Sequence, residues 1–259
     1  MNRINKLFID KSKEVLSVYF TAGYPQLGDT IEILKQLDQV GADLVEIGIP
    51  FSDPVADGPT IQESNQVALE NGMTLNLLFD QLAEMRPMVT IPVILMGYIN
   101  PILQYGMEAF CKKCHEIGVD GVIFPDLPIE VYQREYQHLF EQYELRNTFL
   151  ITPQTTEKRI RKIDDITSGF IYMVSSASVT GAKTEVSDQQ QVYFERIKKM
   201  NLKNPKLIGF GISNRSTFDK ACDNANGAII GSAFIKMLKE SNDLDNDIDK
   251  FCREIKSRS

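Results

Sequence analysis

Apolar residues fall in short dense runs along this chain, and stretches with helical spacing separate the runs. Eight of them read as strands: VLSVYFTA (15–22), DLVEIGIP (43–50), PVILMGY (92–98), GVIFPDL (121–127), NTFLIT (147–152), GFIYMVS (169–175), KLIGFG (206–211) and GAIIG (227–231). Most are nearly continuous in apolar residues, the pattern of parallel strands covered on both faces. In the stretch 30–40, Ile31, Leu34, Leu37 and Val40 share one helical face, and Asp29 with Glu32 is placed to cap the start. In 104–117, Met107, Phe110, Cys111, Cys114 and Ile117 form a stripe opposite Lys112, Lys113 and Glu116. Gly41 and Gly118 follow these helices, where a C-terminal stop is wanted. Before the first strand, Ile4, Leu7 and Phe8 mark one face of a short amphipathic helix.

Eight strand-then-helix units in 259 residues predict the α/β class, as a (β/α)8 TIM barrel with a short N-terminal helix and a single domain over 1–259. A doubly wound open sheet is the rival. It usually has fewer strands and carries a G-x-G-x-x-G turn, whereas the first turn here reads TAGYPQLGD.

Composition narrows the function. Hydrophobic residues make up 43% and charged residues 24%, enough apolar material for a core. A net charge of -7 argues against a general nucleic-acid binder but not against a small anionic ligand. No apolar run approaches the ~20 residues of a membrane span, so no membrane partner is expected. Four cysteines and the absence of a secretion signal point to a reducing compartment, the cytoplasm by default.

In a barrel, the chemistry sits at the C-terminal ends of the strands. The second strand alternates Val45, Ile47 and Ile49 against Leu44, Glu46 and Gly48. The β-branched set suits the helix layer, which turns Glu46 toward the interior. A carboxyl group there loses hydration and rises in pKa, as a general acid or base requires; a structural Glu paired with arginine or backbone donors is the plainer reading. In the following loop, FSDPVADGPTIQ, Asp53 and Asp57 precede turn formers and are either catalytic or bonded within their own turns. Tyr172 reads as a proton carrier or as a core tyrosine with a satisfied hydroxyl. The polar stretch 175–188 suits a loop that closes over a ligand. GFGIS (209–213) and GSAF (231–234) have the glycines, and Ser213 and Ser232 the hydroxyls, of a phosphate cradle; two tight turns would need the same glycines.

Other chemistries lack their residues. His115 and His138 lie in helical segments, so no metal site is expected, and no lysine stands at a strand end to form a Schiff base. Cys111 and Cys114 sit mid-helix without a second pair and read as core packing.

The segment VEIGIPFSDPVADGPTIQ (45–62) closely resembles the signature of the tryptophan synthase alpha subunit family. FTAGYP (20–25), LMGYINP (95–101), GVDGVIFPDLP (118–128), VTGA (179–182), GFGIS and GSAF follow in family order. The resemblance implies a (β/α)8 barrel that cleaves indole-3-glycerol phosphate to indole and glyceraldehyde 3-phosphate. It implies that Glu46 and Asp57 are the catalytic acids, with Tyr172 beside them. It places Thr180, Gly181, Gly211, Gly231 and Ser232 with the substrate, all but Thr180 around its phosphate. Phe20, Leu95, Leu127 and Phe210 are implied around the indole ring, and Asp53 in coupling to a partner. That partner is implied to be the beta subunit in an αββα assembly, with pyridoxal phosphate in the beta chain and no cofactor in this one. After the sixth strand, the family often reads S-R-x-G-V-T-G; here Ser175 to Gly181 reads SSASVTG, without the arginine and the first glycine. Another phosphate-binding barrel of the same pathway, and a weakly catalytic subunit that activates the beta chain, are the other readings.

Overall fold

The computed structural model describes residues 1–174, 188–209 and 211–256. Nine parallel strand segments form one sheet: β1 (Val15–Thr21), β2 (Leu44–Gly48), β3 (Val93–Met96), β4 (Gly121–Ile123), β5 (Arg146–Asn147), β6 (Phe149–Ile151), β7 (Ile171–Val174), β8 (Lys206–Gly209) and β9 (Gly227–Ile230). β1 lies between β2 and β9, and the order ends with β5 on one side and β6 on the other. Those two ends are consecutive in the chain, joined by Thr148 alone. β5 pairs with β4 and β6 pairs with β7, so the sheet closes through one interrupted strand. The fold is the eight-unit barrel, with the fifth strand of the sequence reading split in two. At the split, the Thr148 backbone N–H donates to the Val122 carbonyl, and its side-chain hydroxyl accepts from the Phe170 N–H.

Every residue of β1, β2, β7 and β9 is buried, as strands between a packed interior and a helix layer must be. The helices Asp29–Gln39 and Met107–Ile117 carry the expected apolar faces, and Cys111 and Cys114 are both fully buried. Gly118 ends the second of these helices at φ 81°, a left-handed position. The capping expectation at Asp29 needs correction. Gly28 holds the cap position, and Asp29 is the first helical residue. Its carboxylate accepts from the Gln26 N–H instead, and Glu32 pairs with Lys35 on the surface.

The N-terminal helix Arg3–Asp10 packs on the N-terminal ends of the strands. Ile4 is fully buried, and the Phe8 ring lies 5.9 Å from that of Phe170. Asn2 caps this helix by accepting from the Ile4 N–H, and its amide donates to the Asp120 and Glu144 carbonyls. Asp120, which directly precedes β4, is the polar hub at this end. Its buried carboxylate pairs with Arg86 at 2.6 Å and Arg3 at 3.1 Å, and accepts from the Val93 N–H. Arg86 also donates to the Gly118, Val89 and Ile91 carbonyls, tying the approaches to β3 and β4 together. Replacing Asp120 with Ala strands the Arg86 guanidinium among carbonyls. The expected cost is about 3 kcal/mol, a fall in Tm of roughly 6–12 °C, with catalytic activity per folded molecule unchanged. Differential scanning calorimetry beside a rate assay checks both halves.

Candidate active site

The site forms where β1, β2, β3 and β7 end. Strand register decides which side chains enter the barrel. Tyr19 lies opposite Glu46, and Ser17 sits one inward position earlier on β1, donating its hydroxyl to Glu46 Oε1 at 2.8 Å. Glu46 is 0% exposed, and its second oxygen, Oε2, has no hydrogen-bond partner. Burial pushes this carboxyl up to about 8, with the Ser17 hydroxyl pulling the other way. At neutral pH Glu46 therefore holds a proton.

Two tyrosines crowd the same interior. A Cβ on Gly48 would overlap the Tyr19 hydroxyl, and one on Gly209 would overlap the Tyr172 hydroxyl. Both glycines are thus present because a phenol occupies the space a side chain would take. Burial raises both phenols further above their usual range. For Tyr172 the next causes are the charges of Glu46 and Asp57; for Tyr19 the Asp57 charge comes next and that of Glu46 contributes less.

Asp57 comes from the loop after β2, on the rim. The Tyr98 hydroxyl donates to Asp57 Oδ2 at 3.1 Å and accepts from the Ala56 N–H at 2.8 Å. The Tyr98 ring stacks on Phe51 at 5.2 Å, so one tyrosine holds the start and the middle of this loop. Burial raises Asp57 to about 6, with the Tyr98 hydrogen bond opposing it. Asp57 is therefore mostly ionised at neutral pH while Glu46 is mostly neutral. Tyr19, Ile49, Asp57, Asn65, Met96, Gly97, Tyr98 and Pro125 line the pocket beside them. Asn65 is buried, and its Oδ1 accepts from the Phe51 N–H, fixing the strand exit.

The remaining sequence candidates separate into groups. Asp53 is exposed at the loop tip and accepts from Ser52, away from the pocket lining. Phe20 and Leu95 need correction. Phe20 pairs in register with Ile47, and Ile47 with Leu95, so these three share the face opposite Tyr19, Glu46 and Ile94. That face meets the helix layer, and the pocket-lining neighbours are Tyr19 and Met96. Leu127 is buried in the turn after β4, where Pro125 contributes to the pocket. Gly211 is exposed at φ 80°, with no atom within 4 Å of where its Cβ would stand. Gly231 caps the helix Ser232–Glu240, and Ser232 is its exposed first residue. Ser213 donates its N–H to Thr217 in the turn after β8. Thr180, Gly181, Phe210 and the loop 175–187 lie outside the described residues. Tyr98 and Tyr19 are the residues sequence reasoning missed. Tyr98 closes the run PVILMGY, and its place at a strand end was the available signal. Among the described residues, no three His, Cys, Asp or Glu side chains gather as metal ligands would, and no helix is long and apolar enough to cross a membrane.

Two carboxyl groups of different proton affinity, one inside the barrel and one on its rim, form a pair able to divide acid and base roles. The family model described as tryptophan synthase alpha chain matches residues 6–257. A tryptophan synthase alpha chain of Flavobacterium johnsoniae is 61% identical over 241 residues, covering 93% of this chain and 95% of that one. One of Flavobacterium psychrophilum is 58% identical, covering 98% of this chain and all of that one. Among solved structures, a mutant tryptophan synthase alpha-subunit of Pyrococcus furiosus superposes with TM-score 0.86 at 34% identity, covering 95% of this chain and 98% of that chain. A Mycobacterium tuberculosis tryptophan synthase does so with TM-score 0.88 at 27%, covering 98% and 96%. The chain belongs to the tryptophan synthase alpha chain family, whose members are lyases that cleave indole-3-glycerol phosphate to indole and glyceraldehyde 3-phosphate.

The raised affinity of Glu46 for its proton has a consequence for folding. The folded protein holds that proton more tightly than the unfolded chain, whose value is near 4.5. The stabilisation is complete below 4.5 and is lost as pH rises through about 8. Glu46→Gln, which cannot ionise, should melt close to the wild type at pH ~5 and several degrees above it at pH ~9. Thermal melts across that range check this; a pH-independent difference contradicts it.

Proposed function

We propose that this chain carries out the family reaction with Glu46 as the acid that protonates indole C3. Protonation turns the ring into an electron sink. The bond between C3 and the glycerol side chain then breaks, its electron pair entering the ring system, and the carbon that leaves becomes an aldehyde. The proton of the adjacent side-chain hydroxyl passes to the Glu46 carboxylate, directly or through the Tyr172 hydroxyl. Glu46 thus ends the cycle protonated, as it began. Asp57, ionised and held by Tyr98, accepts the indole N1–H, where positive charge develops. No electron acceptor, metal or Schiff base enters this balance, so no cofactor is required of this chain.

The glycine turns after β8 and β9 suit the substrate phosphate. Gly211 offers open backbone, and the helix beginning at Ser232 presents N–H groups without intrahelical partners. Thr180, Gly181 and Phe210 complete the proposed substrate contacts. Free indole is small and apolar, and a second subunit that consumes it prevents its escape. A tryptophan synthase complex from Pyrococcus furiosus, similar to this chain at TM-score 0.86 and 34% identity, supports a beta-subunit partner. The proposed assembly is αββα, with pyridoxal phosphate in the beta chain and the complex in the cytoplasm. Asp53 and Val55 are exposed on the loop that also holds Asp57, and in this reading that loop couples the site to the partner.

The observation that carries this reading is a fully buried Glu46 with one oxygen occupied and the other free. Glu46→Gln should lower kcat for indole release by roughly 100- to 10,000-fold and change KM little. Steady-state assays with indole-3-glycerol phosphate, with and without a beta subunit, test it. Near-normal turnover by this variant contradicts the assignment.

A further inference from the structure

Ser17 is an unusual choice for its position. It is 0% exposed on β1, turned toward a barrel interior that branched apolar side chains ordinarily fill. A hydroxyl buried there costs free energy unless it is hydrogen-bonded. Among the described residues, the acceptor it reaches is Glu46 Oε1, at 2.8 Å. The register shows the direction of approach. Ser17 pairs with Leu44 and Tyr19 with Glu46, so the hydroxyl meets the carboxyl group from the N-terminal side of the barrel.

This contact makes the two carboxyl oxygens different. Oε1 accepts a hydrogen bond, as a carbonyl oxygen does, while Oε2 has no partner. A proton on Oε1 would displace the Ser17 donor; a proton on Oε2 displaces nothing. The groups that face this carboxyl from other elements are Tyr19 on β1, Tyr172 on β7 and Asp57 on the rim loop.

We propose that Ser17 is a positioning residue for the lyase reaction: by donating to Oε1 it directs the proton of Glu46 to Oε2, the oxygen left free for substrate. This deepens the role given to Glu46 above and rests on it. Ser17 touches no substrate atom; it acts through the carboxyl group. The Ser17 donor also favours the charged form of Glu46, so losing it makes Glu46 hold its proton to higher pH.

The test uses Ser17→Ala and Ser17→Thr in the full chain, with two independent readouts. The first is infrared titration of the buried carboxyl, its carbonyl band identified by its loss in Glu46→Gln. The Ala variant should shift that titration upward by about one pH unit, and the Thr variant should restore it. The second is kcat and KM for indole-3-glycerol phosphate against pH. The Ala variant should lose about tenfold in kcat with KM nearly unchanged, move its alkaline limb upward, and recover in the Thr variant. An unmoved carboxyl titration in Ser17→Ala overturns the proposal, whatever happens to the rate. So does a shifted titration with unchanged kcat, because proton placement would then not matter to turnover. If Thr fails to fold, the Ala variant alone decides by these criteria. If Glu46→Gln turns over normally, it is the role of Glu46 that fails, and the infrared titration still reports whether Ser17 sets its proton affinity.

Discussion

A carboxyl group sealed in a barrel interior with one hydroxyl for company is the constraint on which this structure turns. Water would hydrate Glu46 from every side; here the protein supplies a single donor, Ser17, to one of its oxygens. Leaving the second oxygen bare is unfavourable for a carboxylate and tolerable for a carboxylic acid. The fold therefore selects the neutral form near pH 7 without a special partner for it. The neighbours reinforce that choice, since Tyr19 and Tyr172 bring bulk rather than positive charge. Glycines at 48 and 209 exist to admit their hydroxyls.

The second acid shows how position separates two chemically similar groups. Asp57 stands on a loop, partly open to solvent, and Tyr98 donates to it directly. Each acid accepts from one hydroxyl, so lesser burial and the lower ordinary value of an aspartate leave its proton affinity below that of Glu46, about 6 against about 8. One acid can then give a proton at a pH where the other accepts a hydrogen bond, which is the division that cleavage at C3 with charge developing at N1 demands. Rigidity is distributed to match. The N-terminal end is locked by Asp120, Arg86 and the docked first helix, while the rim carries the exposed loop of Asp53 and Val55.

The sequence made the barrel legible because strand and helix periods alternate cleanly, and Glu46 stood out because a lone acid broke an apolar run. The fifth strand read as continuous, yet it is divided at Thr148, where pairing passes from β4 to β7; no local pattern marks such a change of partner. The resemblance set Phe20 and Leu95 around the indole ring, whereas the register puts both on the face shared with Ile47. Both faces of a barrel strand are apolar, so Tyr19 against Phe20 and Leu95 against Met96 offer little polarity contrast, and a shift of one residue inverts the assignment. Tyr98 was hidden for another reason: its partners Phe51, Ala56 and Asp57 lie some forty positions away, and only the closed fold brings them together. Asp29 misled because its type suits a cap while its place is one residue inside the helix.

The most direct measurement of the central claim is a pH titration of the Glu46 side-chain carboxyl carbon by NMR in isotope-labelled protein. A midpoint near 8, well separated from that of Asp57 near 6, is expected. A Glu46 midpoint in the ordinary carboxylate range, close to 4.5, would contradict it.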